Sequence, residues 1–226
     1  MNYKEQFIAF MVRSQVLLFG DFVTKSGRNT PYFINTGNYR SGAQIAALGE
    51  YYAACIQESG ASFDAMFGPA YKGIPLAVSA AAALYRTNGR DVPYCFNRKE
   101  QKDHGEGGAL VGYQPSAGDR MAIIEDVVTA GTAVRESIAL FEKIVPVQWT
   151  ALYVSVDRME RGQGDRSALD ELREDLGIAV YPIVTVREII SFLHNRPIDG
   201  TIYLGDDARE KMERYLEEYG VNNSGG

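Results

Sequence analysis

Two adjacent carboxylates followed by a turn of small residues form the strongest candidate site in the sequence. Glu125 and Asp126 end an apolar segment that is typical of a buried strand. The turn that follows consists of Val127, Val128, Thr129, Ala130, Gly131, Thr132 and Ala133. Backbone amides at a helix start, together with threonine hydroxyls, can bind an oxyanion, and a glycine lets that anion approach the chain closely. We therefore predict a phosphate site here, although the GxxxxGK[ST] pattern of the P-loop is absent.

The acid pair restricts what this phosphate site can bind. Two carboxylates repel a bare phosphate, so the ligand must also bring a ribose diol, a Mg2+ ion or a developing positive charge. A sugar phosphate meets all three conditions. Taken alone, the same segment could also be a strand end followed by a helix with a threonine N-cap.

Two further segments carry groups suited to anions. Tyr71 and Lys72 follow a short apolar strand and Gly68, which suits a second anion site, for a diphosphate, although a plain strand-to-helix turn has the same composition. Residues 97–108 are rich in glycine and carry four basic side chains: Arg98, Lys99, Lys102 and His104. This composition is typical of a loop that closes over an anion, and also of a solvated flexible loop.

Composition excludes several other classes of protein. Lys and Arg number 23 against 29 Asp and Glu, a net charge of −6, which argues against nucleic acid or an anionic membrane as partner. The sequence lacks an apolar run of the roughly 18–20 residues that span a bilayer and a signal-peptide layout at its start, so we expect a cytoplasmic protein. Cys55 and Cys95 are isolated and predict buried thiols rather than a disulfide or zinc site.

Strand and helix patterns alternate along most of the chain. This alternation predicts a single α/β domain over residues 1–226, with a central parallel sheet and helices on both faces. Ligands of such sheets bind at the carboxyl ends of the strands, where the segments above lie. Helices are predicted at residues 3–16, 44–58, 74–85, 132–143 and 206–219, and strands within 19–39 and at 63–67, 93–96, 120–124, 147–156 and 180–184.

Four ordered segments together resemble a known family. Residues 24–33, 67–73, 94–107 and 155–162, with the strand, acid pair and small-residue turn around Gly131, are similar to the type I phosphoribosyltransferases, and within them to the bacterial orotate phosphoribosyltransferases. The resemblance covers about residues 3–195. It implies a small N-terminal hood at about 1–40, an α/β core at about 60–195, and a C-terminal helix and tail at 196–226.

The resemblance implies a pentosyltransferase of pyrimidine (UMP) biosynthesis. Such an enzyme joins orotate to 5-phosphoribosyl 1-diphosphate and yields orotidine 5′-phosphate and diphosphate, with Mg2+ carried by the diphosphate rather than by a protein metal site. It also implies a homodimer in which Tyr71 and Lys72 contact the diphosphate. Arg98 closes over the diphosphate together with three lid residues of the partner subunit. These three are Lys99, Lys102 and His104, which with Glu125 and Asp126 make up the expected catalytic set.

The remaining implied contacts concern the two substrates. The turn after Asp126 would hold the 5′-phosphate, Arg158 the orotate carboxylate, and Lys25 with the Phe33–Ile34 backbone the other edge of the base. Two positions depart from the common family pattern: Glu125 replaces an aspartate, and Ile34 replaces a second phenylalanine of some relatives. Two alternatives stay open, a phosphoribosyltransferase for another base and a regulator that binds the sugar diphosphate without turnover.

Overall fold

The computed structural model describes residues 1–24, 27–99, 108–162 and 164–221. Within these ranges the chain forms seven α-helices, ten strands and a short 3-10 helix, Thr36–Asn38. The helices are α1 (Tyr3–Arg13), α2 (Gly42–Ser59), α3 (Gly73–Asn88), α4 (Thr132–Ile144), α5 (Ala168–Leu176), α6 (Val186–Leu193) and α7 (Asp206–Tyr219). The strands are β1 (Leu17–Val23), β2 (Asn29–Ile34), β3 (Ala65–Phe67), β4 (Tyr94–Asn97), β5 (Leu110–Gly112), β6 (Arg120–Glu125), β7 (Gln148–Asp157), β8 (Ala179–Thr185), β9 (Pro197–Ile198) and β10 (Thr201–Ile202).

Six strands form the central sheet, in the order β5-β4-β3-β6-β7-β8. All neighbours are parallel except β5, which runs antiparallel to β4 at the edge. The predicted α/β architecture is therefore confirmed. The edge strand β5 was not predicted, because three residues are too few to show an alternating hydrophobic pattern. Its pairing with β4 requires glycine at position 112 (φ +89°), since a Cβ there would lie 2.5 Å from the Tyr94 carbonyl oxygen.

Strand β6 lies in the middle of the sheet and is covered on both faces. Met121, Ala122, Ile123 and Ile124 are all fully buried, and their side chains alternate between the apolar clusters on the two sides of the sheet. Such an uninterrupted apolar run is typical of a parallel strand between two helix layers, and each large side chain contributes about 1.5–3 kcal/mol by burial. The acid pair is thus fixed to a strand that is buried at every residue after Arg120.

Two elements outside the sheet support the region after β7. Strands β1 and β2 form a separate antiparallel hairpin, and α7 packs on it through Tyr215, whose ring meets that of Tyr32 edge to face at 6.0 Å. Backbone hydrogen bonds from Arg161 to Tyr219 and from Val221 to Met159 join the end of α7 to the loop after β7. The predicted helix at 206–219 is confirmed. No helix in the described ranges is long and apolar enough to cross a membrane.

Candidate active site

The predicted groups lie after the carboxyl ends of four neighbouring strands. Lys72 follows β3, Lys99 follows β4, Asp126 follows β6 and Arg158 follows β7. Because these four strands are parallel, their carboxyl ends share one edge of the sheet. The residues singled out in the sequence after these four strands therefore lie at one edge of the sheet.

The backbone of the acid pair is held by two other elements. The Tyr52 hydroxyl on α2 donates to the Glu125 carbonyl oxygen at 2.7 Å, and the Ser155 hydroxyl on β7 donates to the Asp126 carbonyl oxygen at 2.6 Å. The Asp126 amide donates to Glu125 Oε1 at 3.0 Å, and the Val127 amide to Asp126 Oδ1 at 2.7 Å. Both acids are only 8% exposed. The two carboxylates are therefore fixed in direction before any ligand arrives.

Asp126 also receives two side-chain donors from distant parts of the chain. Lys72 Nζ lies 2.8 Å and Thr36 Oγ1 2.6 Å from the same oxygen, Oδ2, and the two donors are 3.3 Å apart. The sequence predicted Lys72 as part of an anion-binding site. It did not indicate Thr36, since nothing in the sequence relates a threonine to an aspartate 90 residues later. The structure brings all three groups together.

The two acids differ in their ionisation. Burial raises the pKa of Glu125 to about 7, and the neighbouring Asp126 charge adds to this rise. Burial alone would also raise the pKa of Asp126, but the hydrogen bonds from Lys72, Thr36 and the Val127 amide outweigh it and lower that pKa. Asp126 is consequently the more readily ionised member of the pair, and Glu125 keeps its proton to higher pH.

The turn before α4 leaves a helix start open to a ligand. Gly131 is the N-cap of α4, with φ +70°, and makes no side-chain capping bond to the helix amides. It is buried, and a Cβ at this position would lie 3.0 Å from Leu172 Cδ2. Thr129, Ala130, Thr132 and Ala133 are exposed, and Val127 and Val128 are half-buried. Uncapped amides at the positive end of a 13-residue helix can hold a phosphate.

The structure describes part of the expected diphosphate and lid groups. Lys99 Nζ lies 5.1 Å from the centroid of the Tyr71 ring, which is 64% exposed. The Ala70 amide donates to Asn97 Oδ1 at 2.8 Å, so the loop after β3 contacts the end of β4. Arg98 is exposed. Lys25, Lys102 and His104 lie outside the residues that the structure describes.

Arg158 is held by a carboxylate that sequence reasoning did not single out. Its Nε and Nη2 lie 2.9 and 2.7 Å from Glu160 Oε1, and its guanidinium carbon lies 4.7 Å from the centre of the Tyr32 ring. The Tyr32 hydroxyl donates to the same oxygen at 2.9 Å. The side chain of Arg158 is 13% exposed. Its direction is therefore fixed by the loop after β7 and by the hairpin.

The expected base-site residues of the hairpin lie at the end of β2. Phe33 is 39% exposed, and its ring lies 5.6 Å from that of Phe22 across the hairpin. Ile34 pairs with Leu17 in the register of β1 and β2 and is half-buried. The half-exposed Phe33 ring is available to pack on a planar ligand.

A cavity of about 360 Å³ opens beside the acid pair. Its walls are mainly apolar, and Thr36, Lys72 and Asp126 are among the polar side chains that line it. A volume of this size with a few convergent polar groups is typical of a small-molecule site.

Comparison with known proteins gives one consistent family. The model of the phosphoribosyl transferase domain matches residues 35–180. The chain is 50% identical over 220 residues to an orotate phosphoribosyltransferase of Clostridium beijerinckii, covering 97% of this chain and 98% of the relative. It is 46% identical over 222 residues to one of Yersinia enterocolitica, covering 97% and 99%. A crystal structure of the Francisella tularensis orotate phosphoribosyltransferase matches with a TM-score of 0.83 and 36% identity, covering 96% of this chain and all of that one.

Proposed function

Because this chain belongs to the orotate phosphoribosyltransferases, we propose that it transfers the 5-phosphoribosyl group from 5-phosphoribosyl 1-diphosphate to orotate. The products are orotidine 5′-phosphate and diphosphate, and the step belongs to pyrimidine biosynthesis. The observation that carries the proposal is the ion pair between Lys72 Nζ and Asp126 Oδ2, which are 2.8 Å apart. Two strand-to-helix loops thereby bring a cation and an anion side by side, which supports a role for Lys72 at the leaving group and for Asp126 at the sugar.

The sugar phosphate fits the acid pair and the uncapped helix start. The amides of residues 131–133 and the hydroxyls of Thr129 and Thr132 would hold the 5′-phosphate, and Asp126 the ribose hydroxyls. Positive charge develops at the anomeric carbon as the diphosphate departs, and an ionised carboxylate nearby stabilises it. The low exposure of Asp126 strengthens this electrostatic effect, because little water screens the charge.

The leaving group fits the loops after β3 and β4. Tyr71, Lys72 and Arg98 offer one phenol and two cations at the same edge of the sheet. Lys72 reaches the diphosphate by giving up its bond to Asp126, which its 69% exposed side chain permits. Charge-assisted contacts of this kind stabilise the developing diphosphate, and Lys102 and His104 would complete them.

The base fits the other side of the site. Orotate is planar and carries a carboxylate, and Arg158 supplies a guanidinium whose direction Glu160 has already set. Phe33, the Ile34 backbone and Lys25 would contact the ring. The names of the C. beijerinckii and Y. enterocolitica relatives support orotate over another base.

We propose that Mg2+ arrives with the diphosphate. Mg2+ typically binds one or two carboxylates together with substrate phosphates. The side chains proposed for the diphosphate, Tyr71, Lys72 and Arg98, are a phenol and two cations, which suit phosphate oxygens rather than Mg2+ itself. The donor set therefore fits a metal bound mainly by substrate, which would neutralise part of the diphosphate charge.

We also propose a cytoplasmic homodimer in which Lys99, Lys102 and His104 act in the partner's site. This arrangement is testable by mixing a Lys72→Ala chain with a Lys102→Ala chain. If the lid crosses between subunits, each mixed dimer regains one intact site, and activity returns to about a quarter of wild type after random exchange. If each chain supplies its own lid, the mixture stays as inactive as the two variants alone.

The substrate assignment is tested by the loss of orotate absorbance. We expect consumption with the sugar diphosphate and Mg2+, and its loss when a chelator is added. Uracil, hypoxanthine and adenine serve as alternative acceptors. Turnover with one of these bases and none with orotate would contradict the proposed function, and binding of the sugar diphosphate with no turnover of any base would point to a regulator.

A further inference from the structure

Thr36 connects the N-terminal hairpin to the acid pair. It opens the 3-10 turn after β2, and its hydroxyl is 2.6 Å from Asp126 Oδ2. The turn itself is held in place, because the Asn35 amide donates to the Val16 carbonyl at 2.8 Å and the Asn38 side-chain amide to the Gln15 carbonyl at 2.6 Å. The hydroxyl therefore reaches Asp126 from a fixed position.

Thr36 and Lys72 share one oxygen of Asp126 but differ in freedom. Lys72 has a long side chain that is 69% exposed, whereas Thr36 is half-buried with a single rotatable bond before its hydroxyl. A diphosphate beside Lys72 competes for its ammonium group. When Lys72 turns to that anion, Thr36 is the side-chain donor left to Oδ2 among the residues that the structure describes.

We propose that Thr36 is a positioning residue that keeps the Asp126 carboxylate aimed at the ribose while Lys72 leaves to bind the diphosphate. The inference rests on the proposed function, since it assumes that Asp126 acts on the ribose. It adds a residue that the family resemblance did not supply, and it joins the hairpin that carries Phe33 to the sugar side of the site. Thr36 acts through Asp126 and need not contact the substrate.

The size of the effect follows from the kind of bond. A hydroxyl that donates to a carboxylate in a half-buried site forms a charge-assisted hydrogen bond, whose loss typically changes an equilibrium or rate by about 10- to 100-fold. The charge on Asp126 matters most as positive charge develops on the sugar. The loss is therefore expected in kcat more than in the KM for orotate.

The experiment compares three variants of the full chain. Thr36→Val keeps the shape and removes the donor, Thr36→Ser keeps the donor and removes the methyl group, and Thr150→Val is the control. Thr150 lies in β7, away from the site, and is also half-buried. Its hydroxyl donates to the Met121 carbonyl oxygen of β6 at 3.3 Å. Steady-state kinetics with orotate and the sugar diphosphate are measured across pH, together with urea unfolding of each variant.

We expect kcat of Thr36→Val to fall about 10- to 100-fold, kcat of Thr36→Ser to stay within about threefold of wild type, and Thr150→Val to behave as wild type. The acid side of the kcat profile of Thr36→Val should move to higher pH, because Asp126 loses a bond to its ionised form. The other groups that face Asp126 in the free protein, Lys72 just before α3, Glu125 on β6 and Tyr52 on α2, are unchanged in every variant.

Three results would overturn the inference. Unchanged kcat in Thr36→Val would show that the bond is dispensable, and a Thr36→Ser variant as slow as Thr36→Val would show that the methyl group matters instead. A fall in kcat with no change in the pH profile would indicate a merely structural effect. If wild type itself uses a base other than orotate, the proposed substrate is wrong, and the same three variants are compared with that base.

Discussion

Arg158 and Glu160 form a pair in which two guanidinium nitrogens share one carboxylate oxygen, at 2.9 and 2.7 Å. The pair is largely buried, with side-chain exposures of 13% and 17%. Glu160 also accepts from the Tyr32 hydroxyl and lies 3.5 Å from Arg28. Burial thus makes this ion pair different from the exposed ones on the helices, which contribute little. Its value lies in fixing the direction in which Arg158 meets a ligand.

We predict that Glu160→Gln weakens orotate binding selectively. The neutral amide orients the guanidinium less strongly, so the KM for orotate should rise about tenfold while the KM for the sugar diphosphate changes less than twofold. The matched control is Glu213→Gln, which alters the exposed Arg209–Glu213 pair on α7. Equal changes in both KM values, or an effect of the control variant of the same size, would contradict this role.

We predict that Lys72→Met affects both the diphosphate and Asp126. Loss of the ammonium group removes a contact to the leaving group, and kcat/KM for the sugar diphosphate should fall about 100-fold. The pKa of Asp126 should rise, which moves the acid side of the pH profile upward. Lys4→Met, which breaks the Lys4–Glu188 pair between α1 and α6, is the control and should leave kinetics unchanged. A wild-type pH profile in Lys72→Met would contradict the link to Asp126.

We predict a pH-dependent stability effect at Glu125. Its pKa is raised to about 7 in the folded protein, so the stabilisation it gives is complete below its ordinary pKa and is lost as pH rises through 7. Between pH 5 and pH 8, wild type should therefore lose on the order of 3 kcal/mol of unfolding free energy relative to Glu125→Gln. Urea unfolding of both proteins at the two pH values measures this. A difference that stays constant with pH would show that Glu125 is not perturbed.

We predict that Gly131→Ala damages the phosphate site beyond its backbone strain. An alanine there must adopt φ +70° and also meets Leu172 at 3.0 Å. Gly177→Ala is the control, because it imposes φ +64° with no heavy atom within 4 Å of the added carbon. Both should lose about 1 kcal/mol of stability to the strained backbone, and Gly131→Ala should lose more through its contact with Leu172. Only Gly131→Ala should raise the KM for the sugar diphosphate, by tenfold or more. Similar kinetics of the two variants would contradict a close approach of the phosphate at Gly131.

The sheet, and the candidate site at the carboxyl ends of its strands, were predictable because the sequence patterns that indicate them are local. The apolar run of β6 ends directly in Glu125 and Asp126, and the regular alternation of strands and helices requires a parallel sheet. Helix α6 was missed although Thr185 and Glu188 form a capping box, since its first apolar residues continue the pattern of β8 without a break. Helix α5 was missed because its sequence is mostly charged.

The partners of the site groups were not predictable, because they are set by tertiary structure. Thr36 and Tyr52 contact the acid pair from 90 and 73 residues away. Glu160 lies two residues from Arg158, yet its role depends on the Tyr32 hydroxyl, which comes from a hairpin 128 residues earlier. Residue type predicts that an acid or a threonine can form a bond, and only the folded chain decides with which partner.

The backbone hydrogen bonds between the end of α7 and the loop after β7 join residues that are synthesised far apart in time. Tyr219 and Val221 hydrogen-bond to Arg161 and Met159, which lie in the loop that begins with Arg158. A ribosome adds these residues last among those the structure describes, well after the strands of the sheet. The loop that begins with Arg158 therefore gains these two backbone bonds only after Tyr219 and Val221 have been added. A chain cut before Tyr219 would retain the phosphate turn while losing the brace behind Arg158.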